Sequence, residues 1–139
     1  IYQCDWSSDV CSSDLQIFIF LAQLSLLYNA ALLLSVTLNL DWAKPRAAGG
    51  QFETFPLSIR VIYFGMFIGM IFLLLFLRRH RDTPLQGPEI RLARILALVF
   101  AASTIVQLIS RSPQEQTNGI PALLIAATFF LLSKRDSRK

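Results

Sequence analysis

Four stretches of the chain are almost wholly apolar, and the charged residues are collected between and after them. Ile17 to Leu40 contains no ionisable side chain and is as long as the roughly 20 residues a helix needs to cross a hydrocarbon core. Ile62 to Leu77 is uncharged for sixteen residues, and its helix is expected to start near Ser58 with Arg60 reaching back to the interface. The third run, Ile95 to Ser110, is entered past Arg91 and Arg94 and left at Arg111. The fourth, Ile120 to Ser133, is the shortest; Pro121 suits a first helical turn, and Asn118 or Thr117 suits the cap. Amphipathic helices of a soluble bundle need a polar face. Ile71-Phe72-Leu73-Leu74-Leu75-Phe76-Leu77 and Ala122 to Leu132 have none. The pattern predicts an all-α protein, an integral membrane bundle of four transmembrane helices over about 17–40, 58–77, 92–110 and 118–133. The first run is too long for the apolar core of a signal peptide.

The stretch Asp5 to Leu15 reads Asp-Trp-Ser-Ser-Asp-Val-Cys-Ser-Ser-Asp-Leu. It resembles one translated frame of a common short-read sequencing adapter. Residues 1–15 are therefore expected to be non-native and to make no specific packing contacts, with Ser13 or Asp14 serving at most as an accidental helix cap. The four-helix domain is expected over 16–139, with its true start lost upstream.

Setting that segment aside changes the chemistry open to the chain. Both cysteines, Cys4 and Cys11, fall inside it, which removes disulfides, thiolate metal sites and a cysteine nucleophile. Thirteen basic residues face nine acidic ones, and six once Asp5, Asp9 and Asp14 are set aside, a net charge of +7. The basic residues flank apolar runs, a membrane-topology pattern, so nucleic acid is not expected as a partner. The loop after the second run carries Arg78, Arg79, Arg81, Arg91 and Arg94, and the tail carries Lys134, Arg135, Arg138 and Lys139. The opposite side holds Lys44, Arg46, Arg60 and Arg111. Nine against four places the middle loop and both termini in the cytoplasm of a cell with an inner membrane, taken as bacterial. The outer loop, Asp41 to Leu57, is turn-rich at Lys44 to Gly50. Its Trp42, Phe52 and Phe55 are the aromatics expected at a headgroup interface, and the loop is expected to lie on the membrane surface.

Motifs for catalysis are missing. The remaining acids, Asp41, Glu53, Asp82, Glu89, Glu115 and Asp136, show no paired spacing on one element, and the lone His80 lies among arginines, where a solvated or headgroup-contacting role is expected. No cofactor is implied, and the chain is not expected to be an enzyme. In length and hydropathy alone it resembles small four-span multidrug exporters. Those depend on an acidic residue in the first span, and Ile17 to Leu40 has none.

Polar and small residues inside the runs form helical stripes. Ser25, Tyr28, Ser35 and Asn39 share a face of the first run with Asn29 beside them; Gly65 and Gly69 form a small-xxx-small pair in the second; Ala93, Ala97 and Ala101 precede Thr104 and Gln107 in the third; Ala122 and Ala126 lie in the fourth. The simplest reading is packing: small residues admit close helix contact, and Asn, Gln, Ser and Tyr hydrogen-bond across helices for roughly 0.6 to 2 kcal/mol each. Gly65 and Gly69 are then expected to face another helix. A sharper reading makes Tyr28, Asn29 and Gln107 the wall of a cavity for a lipid or small neutral solute. Two functions follow. One is a structural or accessory protein acting through helix packing, as a homo-oligomer or part of a larger membrane complex. The other is a minimal transporter or a lipid- or solute-binding protein that works as an oligomer. The lipid bilayer is the partner common to both.

Overall fold

The computed structural model describes residues 12–136. All the regular structure in that range is helical: α1 (Ser12–Thr37), α2 (Leu57–Arg79), α3 (Gly87–Leu108), the one-turn α4 (Pro113–Gln116) and α5 (Gly119–Asp136), with 3₁₀ turns at Asp41–Arg46 and Ala48–Gly50. Cys4, Cys11, Arg138 and Lys139 lie outside the described residues. The long helices pack in the order α2, α1, α5, α3, and α2 and α3, at the two ends of this row, share no packed seam.

Residues recurring at three- and four-residue intervals build the core. Leu15, Ile19, Ala22 and Leu26 of α1 meet Ala122, Ile125, Ala126, Phe129 and Leu132 of α5, and Ala93, Ala97 and Phe100 of α3, Leu77 of α2 and Leu85 of the loop after it complete the cluster. The alanine stripes of α3 and α5 thus lie in one seam, as small residues permit. Thr128 adds a bond across the centre, its hydroxyl donating to the Phe18 carbonyl (3.0 Å). The outward faces are equally apolar. Ile17, Phe20 and Leu24 on α1, Ile62, Phe72 and Leu75 on α2, Leu98 and Ile105 on α3, and Leu123 and Phe130 on α5 are all exposed. A helix apolar on every side belongs in lipid, because water would leave those faces unsatisfied.

Three segments are long and apolar enough to cross a membrane: 13–37, 57–79 and 113–135. The fourth expected span falls short of that standard. Glu89, Arg91 and Arg94 occupy the first turns of α3, and the uncharged remainder, residues 95–108, covers roughly 21 Å at 1.5 Å per residue.

The loops are built from identifiable devices. α1 ends in a Schellman motif, with Leu40 N–H donating to Ser35 O (2.9 Å) and Asn39 N–H to Val36 O (3.0 Å). Asn39 takes the left-handed conformation that ends the helix (φ 57°), and its side-chain oxygen accepts Phe55 N–H (2.9 Å). Arg60 Nε donates to the Thr37 carbonyl (2.7 Å) at the negative end of the α1 dipole. Phe55 turns inward, where an interfacial place was expected, into a second small core with Leu32, Val36, Ala43 and Ala47; Trp42 is exposed, with Arg46 stacked on its ring. Lys44 bonds Asp41 (2.5 Å) and holds that carboxyl below its ordinary pKa, chiefly through the hydrogen bond. On the opposite end, Glu89 closes a capping box with Gln86 (2.8 Å) and starts α3.

Two expectations are corrected here. His80 is buried, against the ring of Phe76, with Nε2 3.3 Å from Glu89 Oε1. The turn after α2 folds it under the bundle while Arg78, Arg79 and Arg81 stay exposed. Ser12 to Leu15 continue α1, so Ser13 and Asp14 lie within the helix, and Leu15 is in the core. A leucine four residues before Ile19 falls in phase with the buried stripe whatever its origin. Truncation through Asp14 is expected to leave the thermal midpoint in detergent unchanged, whereas Leu15→Ala lowers stability by roughly 2–5 kcal/mol. Loss of folding on removing residues 1–14 would contradict a non-native segment.

Candidate functional cleft

Polar side chains at membrane depth mostly satisfy themselves along their own helix. Ser25 donates to Leu21 O (2.8 Å), Asn29 to Ser25 O (2.8 Å), Ser35 to Ala31 O (2.7 Å) and Thr104 to Phe100 O (2.8 Å). These i to i−4 bonds replace the cross-helix bonds expected of the same residues, because a short side chain reaches its own preceding turn first.

Several side-chain bonds between elements collect at the end of the molecule where the 41–50 turns meet α4. Asn118, buried between α4 and α5, accepts the Tyr28 hydroxyl (2.7 Å) and donates to the Arg46 carbonyl (3.0 Å). Its side chain therefore ties α1 and the loop to α5 and does not serve as the helix cap. Glu115 Oε2 accepts the Gly49 amide (2.8 Å) and the Ser110 hydroxyl (2.5 Å), and the Ser112 hydroxyl donates to the Pro45 carbonyl. The Gly49 amide is delivered by three successive left-handed residues, Ala48 (φ 51°), Gly49 (φ 70°) and Gly50 (φ 68°). Glycine takes this conformation freely. Ala48 does so at a cost of about 1 kcal/mol or more, which the surrounding bonds must hold in place.

Beneath this lattice a cleft of about 100 Å³ lies between α2 and α3. Arg46, Glu115 and the polar side chains of Asn29, Tyr63, Ser103, Gln107 and Asn118 line it, with Leu32, Leu33, Met66, Met70, Phe100 and Ala122 as its apolar walls. It lies where α2 and α3, the end members of the helix row, stand apart. Farther down, the rings of Phe76, Phe129 and Phe100 meet at centroid separations of 6.2 and 6.4 Å and fill the same gap.

Gln107 carries the unusual feature. Its Nε2 donates to the Ser103 hydroxyl (3.1 Å). Its Oε1 is buried and, among the described residues, is the one buried side-chain nitrogen or oxygen with no partner. Such an acceptor costs about 1–3 kcal/mol when left unmade.

Of the five residues singled out in the sequence, Asn29 and Gln107 line the cleft and Tyr28 holds its rim through Asn118. Gly65 and Gly69 are elsewhere. Both are exposed on α2, and a Cβ built on either would meet nothing within 4 Å. They face no helix of this chain, because α2 turns its glycine side away from α1. Arg46, Ser103, Glu115 and the tertiary role of Asn118 were not foreseen. Among the described residues no group of three His, Cys, Asp or Glu side chains is placed to hold a metal. No family model, curated protein or solved structure matches the chain.

Asn118→Ala is expected to cost roughly 2–3 kcal/mol in chemical unfolding, having removed two buried bonds. Combining it with Tyr28→Phe should cost less than the sum of the two single changes, since they share one bond. Strict additivity would contradict the lattice.

Proposed function

We propose that the chain is a four-span membrane protein whose working part is the cleft, and that it binds a small solute or lipid there without catalysing a reaction. The single observation behind this reading is the cleft itself, about 100 Å³ with Asn29, Tyr63, Ser103, Gln107 and Asn118 among its lining residues. Polar side chains in an apolar cleft of that size suit a small ligand that carries its own hydrogen-bonding group. Assembly of several copies would turn such a site into a minimal transport pathway.

In this reading α3 is the fourth span. Its Arg91 and Arg94 lie close enough to the helix start to reach headgroups along their own aliphatic stems. The excess of basic residues on the 80–86 side supports an orientation with the termini and that loop in the cytoplasm of a bacterial inner membrane, and the cleft then faces outward. A second reading, a structural or accessory protein acting through helix contacts alone, is favoured by the open Gly65 and Gly69 surface of α2. A second copy or a subunit of a larger complex could sit there.

One comparison separates the readings. Solvent extraction of purified protein, followed by mass spectrometry, is expected to recover a ligand in near-equimolar amount from the unmodified chain and several-fold less from an equally folded Gln107→Leu variant. Gly69→Leu should leave that recovery unchanged. Equal recovery from the unmodified chain and Gln107→Leu, together with a cross-linked oligomer lost in Gly69→Leu, would turn the assignment to the accessory reading.

Orientation is tested by labelling. With Cys4 and Cys11 replaced by serine, Glu53→Cys should react with a membrane-impermeant thiol reagent in intact cells, and Thr83→Cys only after lysis. Both positions are exposed. Equal labelling in sealed cells would mean inverted or dual insertion.

A further inference from the structure

The side of the bundle away from the cleft carries an arrangement of its own. The rings of Phe100 and Phe129 meet at 6.4 Å, and Gly119 packs against Leu108 toward the other end of the same seam, so α3 and α5 run antiparallel in a fixed register. About one and a half turns before the rings along α3 stands Arg94, and as far beyond them along α5 stands Lys134. The two cations are level.

Each stands at the end of an outward stripe of the same spacing. Arg94, Leu98, Ala101 and Ile105 recur at i, i+4, i+7 and i+11 in α3, and Leu123, Ala127, Phe130 and Lys134 do so in α5. The α3 stripe lies on the flank of the Ala93, Ala97 and Phe100 seam opposite to the cleft residues Ser103 and Gln107, and the α5 stripe lies away from the cleft residue Ala122. Both stripes therefore look out from one side, with Leu98 level with Phe130 and Ile105 level with Leu123. All four of these apolar side chains are exposed.

The cations at the end of the strip are not neutralised from within. Among the described residues the ion pairs are Lys44 with Asp41 and His80 with Glu89, so the exposed Arg91, Arg94, Lys134 and Arg135 are paired with no carboxylate. Glu89, the acid nearest to Arg91 and Arg94 in sequence, is taken by His80 and the Gln86 amide. Lys134 instead lays its ammonium over the Phe130 ring (4.8 Å), at the head of the apolar strip. Unpaired positive charge next to exposed apolar stripes is complementary to a phosphate joined to acyl chains.

Resting on α3 as the fourth span but not on the cleft, we infer that this face binds an anionic phospholipid. The phosphate is held between Arg94 and Lys134, with Arg91 and Arg135 beside them, and the acyl chains lie along the two stripes. A zwitterionic lipid brings a cation of its own to the same place and is disfavoured.

The test uses the full chain in uncharged detergent micelles, with three probes read by thermal midpoint and by lipid retained per chain in native mass spectrometry. Phosphatidylglycerol is the proposed class, phosphatidylcholine has the same chains without net charge, and free glycerol phosphate has the head without the chains. Phosphatidylglycerol should be retained at about one per chain and raise the midpoint saturably; the other two should do neither. A cation beside anionic lipid is worth about fivefold in affinity, so Arg94→Gln with Lys134→Gln should weaken phosphatidylglycerol at least tenfold. Arg78→Gln with Arg79→Gln removes as much charge from the exposed end of α2 and should change it less than twofold. Gln107→Leu should not change it, which separates this lipid from a cleft ligand.

An equal fall in both double variants would reduce the effect to net charge and overturn the site. So would phosphatidylcholine retained as well as phosphatidylglycerol, and glycerol phosphate acting alone with the same dependence on Arg94 and Lys134 would replace the lipid with a free anion. The span is checked separately. With Cys4 and Cys11 replaced by serine, Leu98→Cys should be shielded in the micelle from a water-soluble thiol reagent to which Thr83→Cys reacts; equal reaction would overturn α3 as a span and the lipid site with it.

Discussion

A polar group at membrane depth has to find its partner inside the chain, since lipid offers none. Most of the structure follows from that constraint. Serine, threonine and asparagine on the long helices bond the carbonyl one turn back, so each helix is self-sufficient and free to pack by shape. Where self-sufficiency ends, at the terminus of α1 and in the 38–56 loop, polar groups are paired across the fold: Asn39 with Phe55, Arg60 with Thr37, Asn118 with Tyr28 and Arg46, Glu115 with Gly49 and Ser110. The end of the molecule around the 41–50 turns is cross-linked because it is where leftover donors and acceptors meet. Against that background Gln107 Oε1 stands out as the one buried side-chain nitrogen or oxygen among the described residues left without a partner.

The elements were largely legible in the sequence because hydropathy reports the environment along each segment. The first, second and fourth apolar runs became α1, α2 and a third membrane-length segment, and the alanine spacing of the third and fourth runs marked a real seam. Direction was harder to read. A Gly-xxx-Gly pair says that a helix can be approached closely, not which side of it is turned to a neighbour, and α2 turns that pair outward. His80 was misplaced for a related reason. Its neighbours in sequence are arginines, whereas its neighbours in space are Phe76 and Glu89.

The cleft was half legible. Asn29 and Gln107 were conspicuous as amides in apolar runs. Arg46, Glu115 and Asn118 looked like ordinary loop residues, and the bonds that give them a role join positions 66 to 90 residues apart. No local spacing encodes such a meeting. It depends on the side-by-side order of helices, which no one helix determines.

That order has a consequence for how the molecule comes into being. α1 pairs with α2, its successor in the chain, and α3 pairs with α5 across the short α4 turn, so each half is a helical hairpin whose partners are neighbours in synthesis. The hairpins then meet along α1 and α5, sealed by Thr128 against Phe18 and by Asn118 against Tyr28. Each hairpin completes its helical backbone bonds without the other, so the contact between them is one of side-chain surfaces, and the cleft lies where α2 and α3 stay apart.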